Sequence, residues 1–215
     1  MKCRNHSLAF LTACLLATAS FTGGCATTGM QRSVKASNSI QEVDTEMRKM
    51  LVEIDATAAS LDAVVTPGQP DLKKSFDTYS DNVDDLEKTG KKVIKRSDEM
   101  KADSKDYFSE WAKDGDTYTN PQLRELSEER RTKLAGIYAQ VPAASAGVKE
   151  TYLAYLTDLK EIQKYLSNDL TANGVTSVTP IAHKSVQDLD SLKASLRPVI
   201  YALDEIKAEL YSGKK

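Results

Sequence analysis

Cysteine, histidine and carboxylate are the residue types that would do chemistry in this chain, and their numbers restrict it sharply. Histidine occurs only at His6 and His183, and cysteine only at Cys3, Cys14 and Cys25. A carboxylate-type di-metal centre in a helical bundle needs Glu-x-x-His on two helices. The residue three before His183 is Pro180, which excludes that site. For a Ser-His-Asp arrangement, no serine sits on the pattern of a strained nucleophile turn, so His183 reads as a surface residue near a helix start. In "DGDTYTNPQLRE", Asp114, Asp116, Asn120 and Glu125 occupy the first, third, seventh and twelfth places of a calcium loop. The sixth place, where the sharp bend needs glycine, is Thr119, and a capped interhelical turn is the better reading. No catalytic residue, metal or cofactor is expected, and the chain reads as not an enzyme.

Cys25 has a different chemistry. "MKCRNH" carries Lys2 and Arg4 without an acid, and the apolar run that follows, "LAFLTACLLATA", is too short to span a bilayer. This is the layout of a secretory signal peptide over residues 1–24. "TGGC", Thr22 to Cys25, resembles the bacterial lipobox, in which small residues precede a cysteine that is acylated and becomes the new N-terminus. The lipobox usually carries leucine where Thr22 stands. Two or three acyl chains on Cys25 would hold the protein stably to a membrane. Ala26 follows Cys25 where retention in the inner membrane of lipoproteins goes with aspartate, so the resemblance implies an outer-membrane lipoprotein facing the periplasm. Processing would also discard Cys3 and Cys14, which leaves no disulfide within one chain and makes burial the sole source of stability.

The elements that would position such residues are helices throughout. After a polar tether over residues 25–35, apolar positions recur at alternating spacings of four and three: Ala36, Ile40, Val43, Met47, Met50, Ile54, Thr57, Leu61 and Val64. "TPGQPD" breaks the helix, and Asp71 is placed to cap the next. The second seam is unbroken from Leu72 through Tyr79, Leu86 and Met100 to Trp111. Gly90, Ser97 and Ser104 lie on it as small residues that admit a neighbouring backbone. A third helix starts at Asn120-Pro121 and carries its seam from Leu123 and Leu126 to Leu166, with a kink or interruption expected at Pro142. "NDLTANGVTSVTP" reads as the last connector, with a fourth helix from Thr179-Pro180 whose seam runs from Ile181 to Leu210. Strand patterns are absent.

The fold class expected is therefore all-α, a long antiparallel helical bundle of four helices in up-down-up-down order with coiled-coil-like packing, one domain over residues 36–211. The alternative architecture is an open coiled coil that completes its core as a homodimer. Tyr107, Phe108, Trp111, Tyr118 and Tyr138 gather near one end, either as core or as the lining of a small-ligand pocket. Removing Lys2 and Arg4 leaves 27 basic against 31 acidic residues, a balance with no electrostatic footprint for nucleic acid.

"YFSEWAKDGDTYTNPQLRELSEERR" resembles the bacterial family known as domain of unknown function 2959. The residues carrying the likeness are Tyr107, Phe108, Glu110, Trp111, Tyr118, Thr119, Asn120, Leu123, Arg124 and Ser127, with patchier similarity from about Leu72 to Glu209. The resemblance implies an exported helical protein, in several members with a lipobox, and implies no activity. The expected role is noncatalytic: a lipid-anchored helical protein with a structural or interaction role and an envelope protein as its partner. The alternative is a carrier of a small ligand or lipid using the aromatic end. The final Lys215 is not expected to be joined to peptidoglycan, because four antiparallel helices return it to the end where the tether begins.

Overall fold

The structure is a computed structural model that describes residues 28–211, with side chains to Leu210. Cys25, the signal peptide and Lys215 lie outside the described residues. Five helices follow one another: α1 (Gly29–Val65), α2 (Leu72–Asp116), α3 (Pro121–Ala144), α4 (Val148–Asn168) and α5 (Ala172–Tyr211). They form four arms, with α3 and α4 end to end as the third, and the described residues contain no strand. Each arm packs on the arms before and after it, and α5 returns to α1. This is the up-down-up-down bundle, and one chain closes its own core.

Helix boundaries follow local chemistry. Expected as tether, residues 29–35 are instead the first two turns of α1. The reason is a capping box: Gln31 N donates to Thr28 Oγ1 at 3.2 Å while Thr28 N donates to Gln31 Oε1 at 2.9 Å. Arg32 then ties that first turn to Asp114 at the far end of α2, 2.8 Å away. Asp71 caps α2 by accepting from Lys74 N, and Asn120 caps α3 by accepting from Gln122 N and Leu123 N, with Pro121 at the first position. The third arm is interrupted, but the break begins three residues beyond Pro142, at Ser145. There Ser145 Oγ donates to Val141 O at 2.8 Å and Gly147 turns the chain with φ +80°, a conformation open to glycine. Pro142, Pro180 and Pro198 all lie inside helices on exposed positions, where water can meet the carbonyl that loses its N–H partner.

The expected start of the last helix is corrected by eight residues. Thr171 Oγ1 accepts from Gly174 N at 3.1 Å, and α5 runs straight through Pro180. Its buried row is Val178, Ala182, Ser185 and Leu189, while Ile181 is exposed. The heptad spacing therefore extends upstream, and small or polar members hid it. Leu123 and Leu126 are also exposed, at 51% and 60%. The core of the third arm begins only at Leu134.

Every expected seam position of α1, from Ala36 to Val64, is buried. Beside that row stands a group of charges: Asp44, itself buried, binds Arg48 at 3.0 Å and Lys207 at 2.8 Å, and Asp204 binds both cations at 2.7 Å. It joins α1 to α5. Further pairs cross between arms at Lys160–Glu87, Lys35–Asp103 and Lys133–Glu209. Hydrogen bonds from Lys160 and Lys91 hold the Glu87 carboxyl below its ordinary pKa, and Lys207, then Arg48, do the same for Asp204. A carboxyl whose folded pKa is depressed lends stability above its unfolded pKa, near 4, and withdraws it as pH falls through the folded value. The melting temperature is expected to be flat from about pH 8 to 5.5 and to fall below about pH 4.5, with less of a fall in about 1 M salt. Thermal melts across that range check this; a protein stabilised by acid would show that these pairs do not form.

Candidate functional site

Side chains that sequence reasoning placed in an aromatic pocket come together at the α2–α3 junction, with one exception. The Tyr107 ring centroid lies 5.0 Å from that of Phe108 and 5.4 Å from that of Trp111, and Phe108 meets Tyr138 edge-on at 5.1 Å. The indole N–H of Trp111 donates to Ser127 Oγ across the junction at 2.9 Å, which satisfies its polar end. Tyr118 stands apart in the turn, 40% exposed. The rings pack on the edge of the core and fasten α3 to α2. The cavities described below take their walls from other residues.

A large groove opens at the opposite end of the molecule, where α1 ends, α2 begins and α5 begins. Its volume is about 640 Å³, with Val64, Val65, Leu72, Val175 and Pro180 among its walls and His183 at its border. The turn Thr66–Gln69 forms one rim, held by Thr66 Oγ1 donating to Asp62 O at 2.8 Å and by Gly68 at φ +79°. Its lining is mainly apolar, with Thr66, Thr176 and Thr179 among it; their hydroxyls donate to Asp62 O, Ala172 O and Val175 O and keep only acceptor lone pairs for a guest. Such a surface can hold an apolar ridge and offer it a few hydrogen bonds. Because α1 is 37 residues long, at 1.5 Å per residue the groove lies roughly 55 Å along the bundle from Thr28.

Several titratable groups have structural partners. Among the described residues no group of three or more histidines, cysteines or acids is arranged to hold a metal ion. Asp114 pairs with Arg32, and the Asn120 side chain is the helix cap, so two members of the calcium-loop spacing already have partners. Burial pushes the Tyr79 and Tyr152 phenols well above their ordinary range, which keeps them protonated as donors. Tyr79 donates to Leu159 O at 2.7 Å and Tyr152 to Leu86 O at 3.0 Å, and both bonds join α2 to α4. Sequence reasoning missed the Asp44, Arg48, Asp204 and Lys207 cluster. Its signal was present in the spacings Asp44 to Arg48 and Asp204 to Lys207, but an acid next to a seam residue looks like any solvated charge until the opposite helix is in place.

Long antiparallel arms closed around one apolar core define an all-α helical bundle. Among the described residues no helix is long and apolar enough to cross a membrane. The chain belongs to the family described as "Protein of unknown function (DUF2959)", whose model matches residues 29–209. Comparison with curated proteins and with solved structures gives no match.

Proposed function

We propose that this protein is a noncatalytic, lipid-anchored helical protein of the bacterial envelope, held by Cys25 to the periplasmic face of the outer membrane, with a structural or interaction role. The observation that carries the reading is the distribution of features along the bundle. The N-terminal turn of α1, capped at Thr28 three residues after Cys25, lies at one end, and the apolar groove lies at the other. An anchor at one end and a receptive surface at the other make a spacer that holds an envelope partner at a set height above the bilayer. Lipidation is supported by the lipobox resemblance at Thr22 to Cys25.

The test has two parts. The parent should fractionate with outer membrane and incorporate labelled palmitate, whereas Cys25→Ser should be soluble in the periplasm or unprocessed. A parent found soluble and unlabelled ends the anchored reading. A photocrosslinking residue at Thr176, on the groove, should capture one envelope protein reproducibly, and the same residue at Glu128 on α3 should not. Equal capture at both places removes the groove from the reading.

A further inference from the structure

Midway along the bundle the packing of α2 against the third arm changes character. The arms are antiparallel, so seven residues forward on α2 correspond to seven back on the third arm. Gly90 faces Tyr152: the phenol fills the notch and reaches Leu86 O at 3.0 Å. One heptad on, Ser97 comes opposite Ser145, where the third arm is broken, and both sides are small. Space is left there. It forms a cavity of about 280 Å³ that enters the core beside the break, with Met47 and Met50 of α1, Val93 of α2 and Leu196 of α5 on its walls. Those four side chains are buried at 7% exposure or less.

We infer that this cavity is a binding site for a small cationic amphiphile, an alkylammonium-type molecule with a tail of about ten carbons; the volume is about twice that of an apolar cavity that takes up one benzene ring. Three observations converge. The inner wall is mainly apolar, so water there finds few partners and an apolar guest that displaces it gains by burial. The floor carries two methionines, whose flexible, polarizable side chains adapt to an apolar guest. The mouth, beside the exposed Ala146 and Gly147, carries Asp98, Glu150 and Lys149. Among the described residues none of these three makes an ion pair, although such pairs are frequent over the rest of the surface. Two carboxylates against one ammonium favour a cationic head. The site is distinct from the aromatic junction and from the end groove, and it does not depend on the lipid anchor.

The full chain with ¹³C-methyl methionine, titrated with decyltrimethylammonium, reads the floor directly. The Met47 and Met50 methyl signals are expected to shift and saturate at one molecule per chain, while Met30, 79% exposed at the start of α1, stays in place. The melting temperature should rise with ligand, as for any molecule that binds only the folded state. Decanoate, with a tail of similar length and the opposite head, should bind at least tenfold more weakly, and the Asp98→Asn, Glu150→Gln pair should abolish that preference. Ser97→Leu fills the cavity from α2 and Ala146→Trp blocks its mouth from an exposed loop; each should weaken binding at least tenfold. Should Ser97→Leu fail to fold, Ala146→Trp decides alone. Unmoved Met47 and Met50 signals, a melting temperature lowered by the amphiphile, or undiminished binding to Ala146→Trp would each overturn the site. Equal binding of decanoate would overturn the cationic ligand.

Discussion

Gly90→Ala is expected to destabilise the protein by about 2 kcal/mol, even though it removes a glycine from the middle of a long helix. Helix propensity alone predicts the reverse, a gain of about 1 kcal/mol, so the sign of the change separates the two causes. A methyl group built on Gly90 would lie 1.9 Å from the Tyr152 hydroxyl oxygen and 2.1 Å from the ring carbon that bears it. Tyr152 is 3% exposed and bonded to Leu86 O, so the ring cannot swing into solvent without losing its hydrogen bond and opening the α2–α4 contact. For a chain of this size the melting temperature should fall by roughly 4–8 °C. Tyr152→Leu, which shortens the intruding side chain, should destabilise on its own and yet absorb the methyl group. The double variant Gly90→Ala with Tyr152→Leu should therefore be more stable than the two single effects summed, by at least about 1 kcal/mol. Additive effects, or a higher melting temperature for Gly90→Ala, would show that α4 does not seat its tyrosine on α2.

Leu86→Asp carries the largest loss, about 4–5 kcal/mol. Leu86 is fully buried on the α2 seam, and its carbonyl accepts the Tyr152 hydroxyl. A carboxylate there has no cation within the core to pair with, so the variant must either bury an uncompensated charge or be protonated at neutral pH. The neighbouring Glu87 is the control. Its carboxylate binds Lys91 at 2.9 Å and Lys160 of α4 at 2.8 Å, with the lysines largely in solvent, so Glu87→Ala should cost about 1 kcal/mol or less. Denaturant or thermal melts of the two variants side by side are the measurement. Equal losses would mean that α2 is rotated from the face described.

Heptad spacing made α1 and α2 legible, because each apolar row on them is long, regular and bounded by residues whose local chemistry stops or starts a helix: Pro67 and Gly68 after α1, Asp71 before α2, Asn120-Pro121 beyond the end of α2. Capping depends on residues three or four apart, so it too can be read along the chain. The start of α5 was harder. Its first buried row includes Ala182 and Ser185, which carry little hydrophobic signal, and Pro180 suggested a beginning where the helix only loses one hydrogen bond on its wet side.

Periodicity states which face of a helix is apolar and leaves open what covers it. Leu123 and Leu126 fit the seam of the third arm and remain exposed, and the buried row of α3 begins only at Leu134. The Tyr152 ring over Gly90, the ring of charge around the buried Asp44, the 280 Å³ cavity beside Ser97 and the groove that reaches His183 all join residues from different arms. Each depends on the axial register of one helix against another. Helix class, the alternation of arms joined by short turns, the caps at Asp71 and Asn120 and the apolar rows of α1 and α2 could be had from the sequence, since all of these are read from residues within one helix or one turn. The register, and with it every cavity and every charge pair between arms, was decided only in the tertiary structure, because sliding an arm by one heptad keeps the same apolar stripe and exchanges all of its partners.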